Sequence, residues 1–241
     1  MTISSSKAKK DKLALIACRV MQPELEEARF GRESIEIRYL DQGLHRTPKK
    51  MAAAIQEQID QAAVYASRIV VGYGLCSNGI VGVIARQQGL YLPHCHDCVA
   101  FFMGSHLAYL KAFEARPGTY YLTPGWVAEK RDPLGIIEED YAPRIGREKA
   151  FWAMEEELKH YSHIALINTG VGNIEALREK AKENARMLNK QYEEIQGSLD
   201  FFKKLIQGPY TTGEFLFLKP NLKITQEMYL SETAACQPPS N

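Results

Sequence analysis

The 241-residue chain has no apolar run near the roughly 20 residues that a bilayer-spanning helix needs; its longest, at 13–17 and around 69–71, are strand-sized. It also lacks an excess of charge of either sign. Thirty basic against twenty-nine acidic residues leave a formal net charge of +1, so no overall field exists to hold a nucleic acid or an acidic membrane surface. Residues 1–12 are polar and lysine-rich without an apolar centre, which excludes a secretory signal and reads as a flexible tail; a cytoplasmic location follows. No internal repeat, coiled coil or low-complexity linker is evident. Cysteine is scarce: Cys18, Cys76, Cys95, Cys98 and Cys236 are expected as thiols, nucleophiles or metal ligands and not as a disulfide framework. What remains is an average globular composition, 45% hydrophobic and 24% charged, consistent with one domain over 13–230 and an unperiodic tail over 231–241.

Strand-like and helix-like segments alternate, the pattern of an α/β fold with a largely parallel central sheet and helices on both faces. Residues 13–18 (LALIAC) form a continuous apolar run, as expected of a strand covered on both faces. Strands are also expected at 35–40, 69–73, 90–93, 119–123, 163–168 and 214–218. Residues 48–66 carry Met51, Ile55, Ile59 and Ala62 at helical spacing, with Thr47 placed to cap and Pro48 in the first turn. Further helices are expected at 79–88, 97–115, 147–161 and 173–195, with Asp97 placed to cap the second and Phe101, Phe102, Leu107, Leu110 and Phe113 on its buried face. Residues 131–143 read as a loop. The many Glu and Lys residues of 173–195 mark a solvated face, and the helix as a whole would pack in a homo-oligomer such as a dimer as readily as on the sheet.

In a parallel sheet ligands gather beyond the carboxyl ends of the strands, where loops converge. The unusual residues of this chain fall at those ends. Cys18 closes the first strand, Gly72-Tyr-Gly-Leu-Cys-Ser-Asn-Gly79 follows the third, and His94-Cys-His-Asp-Cys98 follows the fourth. Thiolates select zinc, copper(I) or iron-sulfur clusters, so Cys18, Cys76 and Cys98 from three strand ends suit a three-thiolate site with one open position. His96 is then a fourth ligand or an acid/base group, and Asp97 either orients it or caps a helix. Gly74, Ser77, Asn78 and Gly79, with Gly170 and Gly172 after the sixth strand, are the loop residues expected to wrap a cofactor. For Gly170 and Gly172 a tight left-handed turn is an equal explanation. Cys95 and Cys98 also form a Cys-x-x-Cys, a redox-pair spacing. His45 follows the second strand, where it either reaches the same rim or caps its loop. A single buried cysteine is more often a small hydrophobe than a ligand; the clustering of these cysteines with His96 and Asp97 argues the other way.

Several of these segments occur together in one known family. Tyr39-Leu-Asp-Gln-Gly-Leu-His45 with Pro48, Tyr73-Gly-Leu-Cys-Ser-Asn-Gly79, Pro93-His-Cys-His-Asp-Cys98, Gly104-Ser105 and Pro117-Gly-Thr-Tyr-Tyr-Leu-Thr-Pro-Gly-Trp126 resemble the bacterial and archaeal family DUF1638, from about residue 13 to about residue 224. The resemblance implies that Cys18, Cys76, His96, Asp97 and Cys98 belong to the family pattern while the position of Cys95 varies, which favours the three-thiolate site over a redox pair. It further implies anaerobic metabolism near corrinoid-dependent methyl transfer, with a methyltransferase or corrinoid protein as partner.

Three functions follow as expectations. The first is a [4Fe-4S] or zinc centre on Cys18, Cys76 and Cys98, acting on a small-molecule substrate in transferase, lyase or oxidoreductase chemistry with His96 and Asp97 as catalytic groups. The second is a non-catalytic carrier of metal or corrinoid for a methyltransferase. The third is a metal-free thiol enzyme with Cys76 as nucleophile, activated by the dipole of a helix starting at Gly79 and by His96.

Overall fold

The computed structural model describes residues 12–32, 34–211 and 213–230. The expected tails, Lys12 apart, and Cys236 lie outside the described residues. The strands are β1 Leu13–Cys18, β2 Ile35–Leu40, β3 Arg68–Gly72, β4 Leu90–Pro93, β5 Thr119–Leu122, β6 His163–Asn168, β7 Gln191–Gln196 and β8 Phe215–Leu218. The expected α/β class with largely parallel pairing and surrounding helices is what the chain has. Its described strands divide between a five-stranded sheet, β2-β1-β3-β4-β8, and a three-stranded sheet, β5-β6-β7.

The chain forms two compact units. The first takes its described residues from 12–18, 29–98 and 204–230, and the second from 19–28 and 99–203. In the first unit β2, β1, β3 and β4 run parallel, and β8 closes the β4 edge antiparallel, pairing Tyr91 with Phe217. Every residue of β1 is buried, as its unbroken apolar run requires of an inner parallel strand. The helix Pro48–Ala63 covers the sheet with Met51, Ile55, Ile59 and Ala62. Pro48 opens it, but Thr47 at the cap position makes no side-chain capping bond. Because β1, β3 and β4 are neighbours and parallel, their carboxyl ends share one edge. That edge receives Cys18, the 73–79 segment and the 94–98 segment.

In the second unit β5, β6 and β7 are all parallel. The helix Ile174–Met187 crosses between β6 and β7, with Asn173 Oδ1 accepting from Ala176 N at 3.2 Å and Leu177, Ala181, Asn184 and Ala185 buried. Leu122, Ile137, Met154, Leu158, Ile164 and Leu166 fill the core against it.

Four sequence expectations are corrected. The 79–88 segment is a chain of turns with an isolated bridge from Ile84 to Lys223, because Cys76, Ser77 and Asn78 at φ of 46, 55 and 66° point the backbone away from a helix start. The 97–115 segment is two helices, Val99–Phe102 and His106–Ala115, broken at Gly104 (φ 81°); Ser105, not Asp97, caps the second. That break rotates the second helix out of phase, so Phe101 and Phe102 are buried while Leu107, Leu110 and Phe113 are exposed. The expected loop 131–143 is largely helical: Pro133–Ile136, capped by Asp132, runs into a π-helix at Ile137–Tyr141 and a further turn at Ala142–Ile145. The 173–195 helix stops at Met187, and the rest of that segment turns into β7, a polar strand with no buried residue at the margin of its sheet.

Candidate functional site

The site begins with how two loops are joined. Leu75 N donates to Cys95 O at 2.9 Å, and Cys76 N donates to His96 O at 3.0 Å. This zips the loop after β3 to the loop after β4. Gly74 is needed at the closest approach: a Cβ there would stand 2.9 Å from Cys95 O and 3.2 Å from both Cys95 Sγ and the Asp97 carbonyl carbon. Gly79 fills a similar role on the other flank, against the Met51 thioether, and its N–H donates to Cys76 O at 3.0 Å. Between these glycines Cys76, Ser77 and Asn78 all hold left-handed backbone, a run that side-chain-bearing residues seldom sustain. Ser77 and Asn78 are exposed, while Cys76 turns inward.

Cys18, Cys76, Cys95 and Cys98 are buried free thiols. Cys76 is their hub. It shares a side-chain hydrogen bond with Cys98, and that bond together with burial pushes the Cys98 thiol well above its usual range. Cys18 and Asp97 act on Cys98 in the same direction. Burial likewise pushes up the Cys95 thiol, reinforced by Cys76 and Asp97. Three of these thiols, Cys18, Cys76 and Cys98, are the predicted ligand set, and they lie within electrostatic reach of one another or of Tyr73. Each group acting on Cys98 would be neutral or negative, so thiolates here would call for a cation.

As donors, three thiols suit a soft metal. Among the described residues no group of three or more His, Cys, Asp or Glu side chains is arranged so that it could hold a metal ion, and Cys76 and Cys98, both free thiols, share a hydrogen bond instead. His96 contributes its carbonyl to the loop junction while its ring is exposed. Asp97 is half-buried and acts on Cys95, Cys98 and His45. Gly170 and Gly172 belong to the second unit. Both hold left-handed backbone (φ 79 and 78°), and Gly170 N donates to Asn168 Oδ1 at 3.0 Å, so a tight turn accounts for them.

Sequence reasoning left two tyrosines out of the site and treated His45 as optional. Tyr73 is fully buried directly after β3; burial raises its hydroxyl well above the tyrosine range, and Cys18, Cys76, Cys98 and Asp41 add to the shift. The His45 ring lies 6.1 Å from the Tyr73 ring, and burial lowers its basicity against the opposing pull of Asp97. Tyr229 is buried with its ring 5.8 Å from His94; burial pushes its hydroxyl well above the tyrosine range, and Cys95 and Cys76 add to the shift. The position of Tyr73 beside Gly74 within the 72–79 motif was the available signal for the first. Tyr229 sits in a four-residue helix with no pattern to mark it.

No helix among the described residues is long and apolar enough to cross a membrane. No curated protein and no solved structure matches the chain. The family model described as "Protein of unknown function (DUF1638)" matches residues 39–206, which takes in both zipped loops with Cys76, Cys95 and Cys98 but not Cys18 or Tyr229. The chain belongs to the DUF1638 family.

Proposed function

We propose that this chain carries a soft-metal centre on Cys18, Cys76 and Cys98, either a [4Fe-4S] cluster or a single zinc, and uses it on a small molecule. The observation that supports this reading is the meeting of thiols from the ends of three adjacent parallel strands, with acidic groups around them. Loading would exchange the Cys76–Cys98 hydrogen bond and the protons of all three thiols for bonds to a cation, which would offset the mutual repulsion that opposes thiolates there. Three protein ligands leave a position for substrate; the bound group supplies Lewis-acid or electron-transfer chemistry if a cluster, and thiol or water activation if zinc. Around it Asp97 and a neutral His45 form the proton-handling pair, while Tyr73 keeps its proton and offers it as a hydrogen bond to sulfur. His96, exposed beside them, takes part from the solvent side.

A second reading keeps the thiols metal-free with Cys76 as nucleophile. The left-handed backbone at Cys76 favours it, since strain of this kind collects at reactive positions. It loses the helix dipole expected at Gly79, where the chain makes turns. Metal analysis and an absorption spectrum on protein purified without oxygen, beside Cys98→Ser and Cys18→Ser, separate the two. The metal reading expects about four irons with a brown colour, or one colourless zinc, lost in both variants. Protein without metal that reacts with an alkylating probe at Cys76 alone would overturn it and leave the nucleophile.

A further inference from the structure

Trp152 is 64% exposed, on the helix Arg147–Glu157 of the second unit. Helix phase puts it there. Ala150 and Met154 are the buried side of that helix, and Glu148, Trp152 and Glu155, spaced i, i+4 and i+7, share the side facing away from the core. The indole therefore does no packing within the fold, and tryptophan is among the side chains most enriched where a few residues carry the binding energy of an interface. It does not stand on a flat face. Arg147, Glu148, Phe151, Trp152, Glu155 and Met187 line a groove of about 500 Å³. Met187 comes to it from a second helix, Ile174–Met187, and is itself 44% exposed, while Phe151 ties the groove to the core against which it packs. A further cavity of about 400 Å³ shares Arg147, Phe151 and Met187 and extends the groove to Val127 and Leu134.

The charge around the indole selects the occupant. Glu148 and Glu155, one turn to either side of Trp152, are exposed, and neither makes an ion pair or hydrogen bond with any described residue. Arg147, the one base lining the groove, is already engaged: its guanidinium donates to Glu138 at 2.8 Å and lies over the Phe151 ring at 5.6 Å. In the adjoining cavity Lys130 and Lys180 are paired with Glu139 and Glu183. Two uncompensated carboxylates thus bracket an open aromatic ring, an arrangement that attracts a basic partner and repels an acidic one. Their spacing of one helical turn on each side matches a helix that sets an apolar side chain on Trp152 with Lys or Arg a turn before and after it. We propose that this groove docks a basic amphipathic helix of a partner protein, with Trp152 as the anchor and Glu148 and Glu155 as the charges that choose it. A second copy of this chain fits less well, because a twofold contact sets the same acidic stripe against itself. Nothing in the proposal depends on the thiols of the first unit.

The test uses the full chain and two labelled helical peptides of the same leucine pattern, one with lysine and the other with glutamate on the polar face, read by fluorescence anisotropy. The lysine peptide is expected to bind saturably and the glutamate peptide not to bind. Trp152→Ala is expected to weaken binding by about 30-fold, the scale of losing an interface tryptophan, and Trp152→Phe to keep most of it. Glu148→Lys together with Glu155→Lys is expected to cost about 10-fold at low salt, a difference that shrinks as salt is added. All three positions are exposed, so circular dichroism and unfolding midpoints should stay as in the wild type. Equal binding of the two peptides, binding of neither, or wild-type affinity in Trp152→Ala overturns the proposal. A concentration-dependent dimer in sedimentation that Trp152→Ala abolishes also overturns it, and assigns the groove to contact between copies.

Discussion

Thr169, one residue beyond β6, donates its hydroxyl at 2.9 Å to the carboxyl of Glu24, 145 residues earlier in the chain, and both side chains are buried. The other carboxyl oxygen of Glu24 has no partner among the described residues. Burial therefore outweighs the Thr169 bond and raises the carboxyl to about 7 from 4.5. A raised carboxyl stabilises the fold in its protonated form. That contribution is complete below pH 4.5 and is lost as the pH climbs through 7, a change of about 3 kcal/mol. Glu24→Gln, neutral throughout, is expected to abolish this slope. Urea midpoints at pH 5 and pH 8 should separate clearly in the wild type and converge in the variant; an equal separation in both would show that Glu24 is not its source.

Asn184 is another fully buried polar side chain of the second unit, and all the polar groups of its amide are used. Its Oδ1 accepts from Leu134 N at 2.9 Å, and its Nδ2 donates to Asp132 Oδ2 at 2.8 Å and to Lys180 O at 2.9 Å. Through these bonds the helix Ile174–Met187 holds the capped turn that starts the π-helical segment. Asn184→Ala leaves buried Asp132 short of a donor and Leu134 N short of an acceptor, so a loss of about 2–4 kcal/mol is expected in denaturant unfolding. A cost under about 1 kcal/mol would mean that water replaces the amide.

Gly74→Ala tests the loop junction directly. The added methyl meets a backbone oxygen and the Cys95 sulfur, neither of which can swing away, and a cost of about 1–3 kcal/mol is expected. The same push parts the 74–76 and 94–98 segments, so their buried thiols should react faster with an aromatic disulfide reagent. Unchanged thiol kinetics would show that the two loops move together.

Much of the fold is legible in the sequence where one period dominates. LALIAC reads as an inner strand because nothing polar interrupts it, and residues 48–63 read as a helix because Met51, Ile55 and Ile59 recur on one face. Reading failed where the signal was divided. Gln191–Gln196 continues the Glu- and Lys-rich composition of the helix before it, and only its sheet pairing separates the two. Ile80, Val81 and Val83 suggest a helix, but the three left-handed residues before them set a different path. The thiol site was legible because cysteine beyond a strand end is conspicuous. The tyrosines were not, because a buried tyrosine is indistinguishable from core until its hydroxyl is placed, and Tyr229 lies more than a hundred residues from the loops it flanks.

The first unit is assembled from three separated stretches of chain, and the last of them carries β8 and Tyr229. A ribosome finishes the whole second unit before it makes either. Nascent chains therefore hold the β4 edge without its antiparallel partner throughout the synthesis of the intervening residues, and the first unit closes its sheet only when the last stretch arrives.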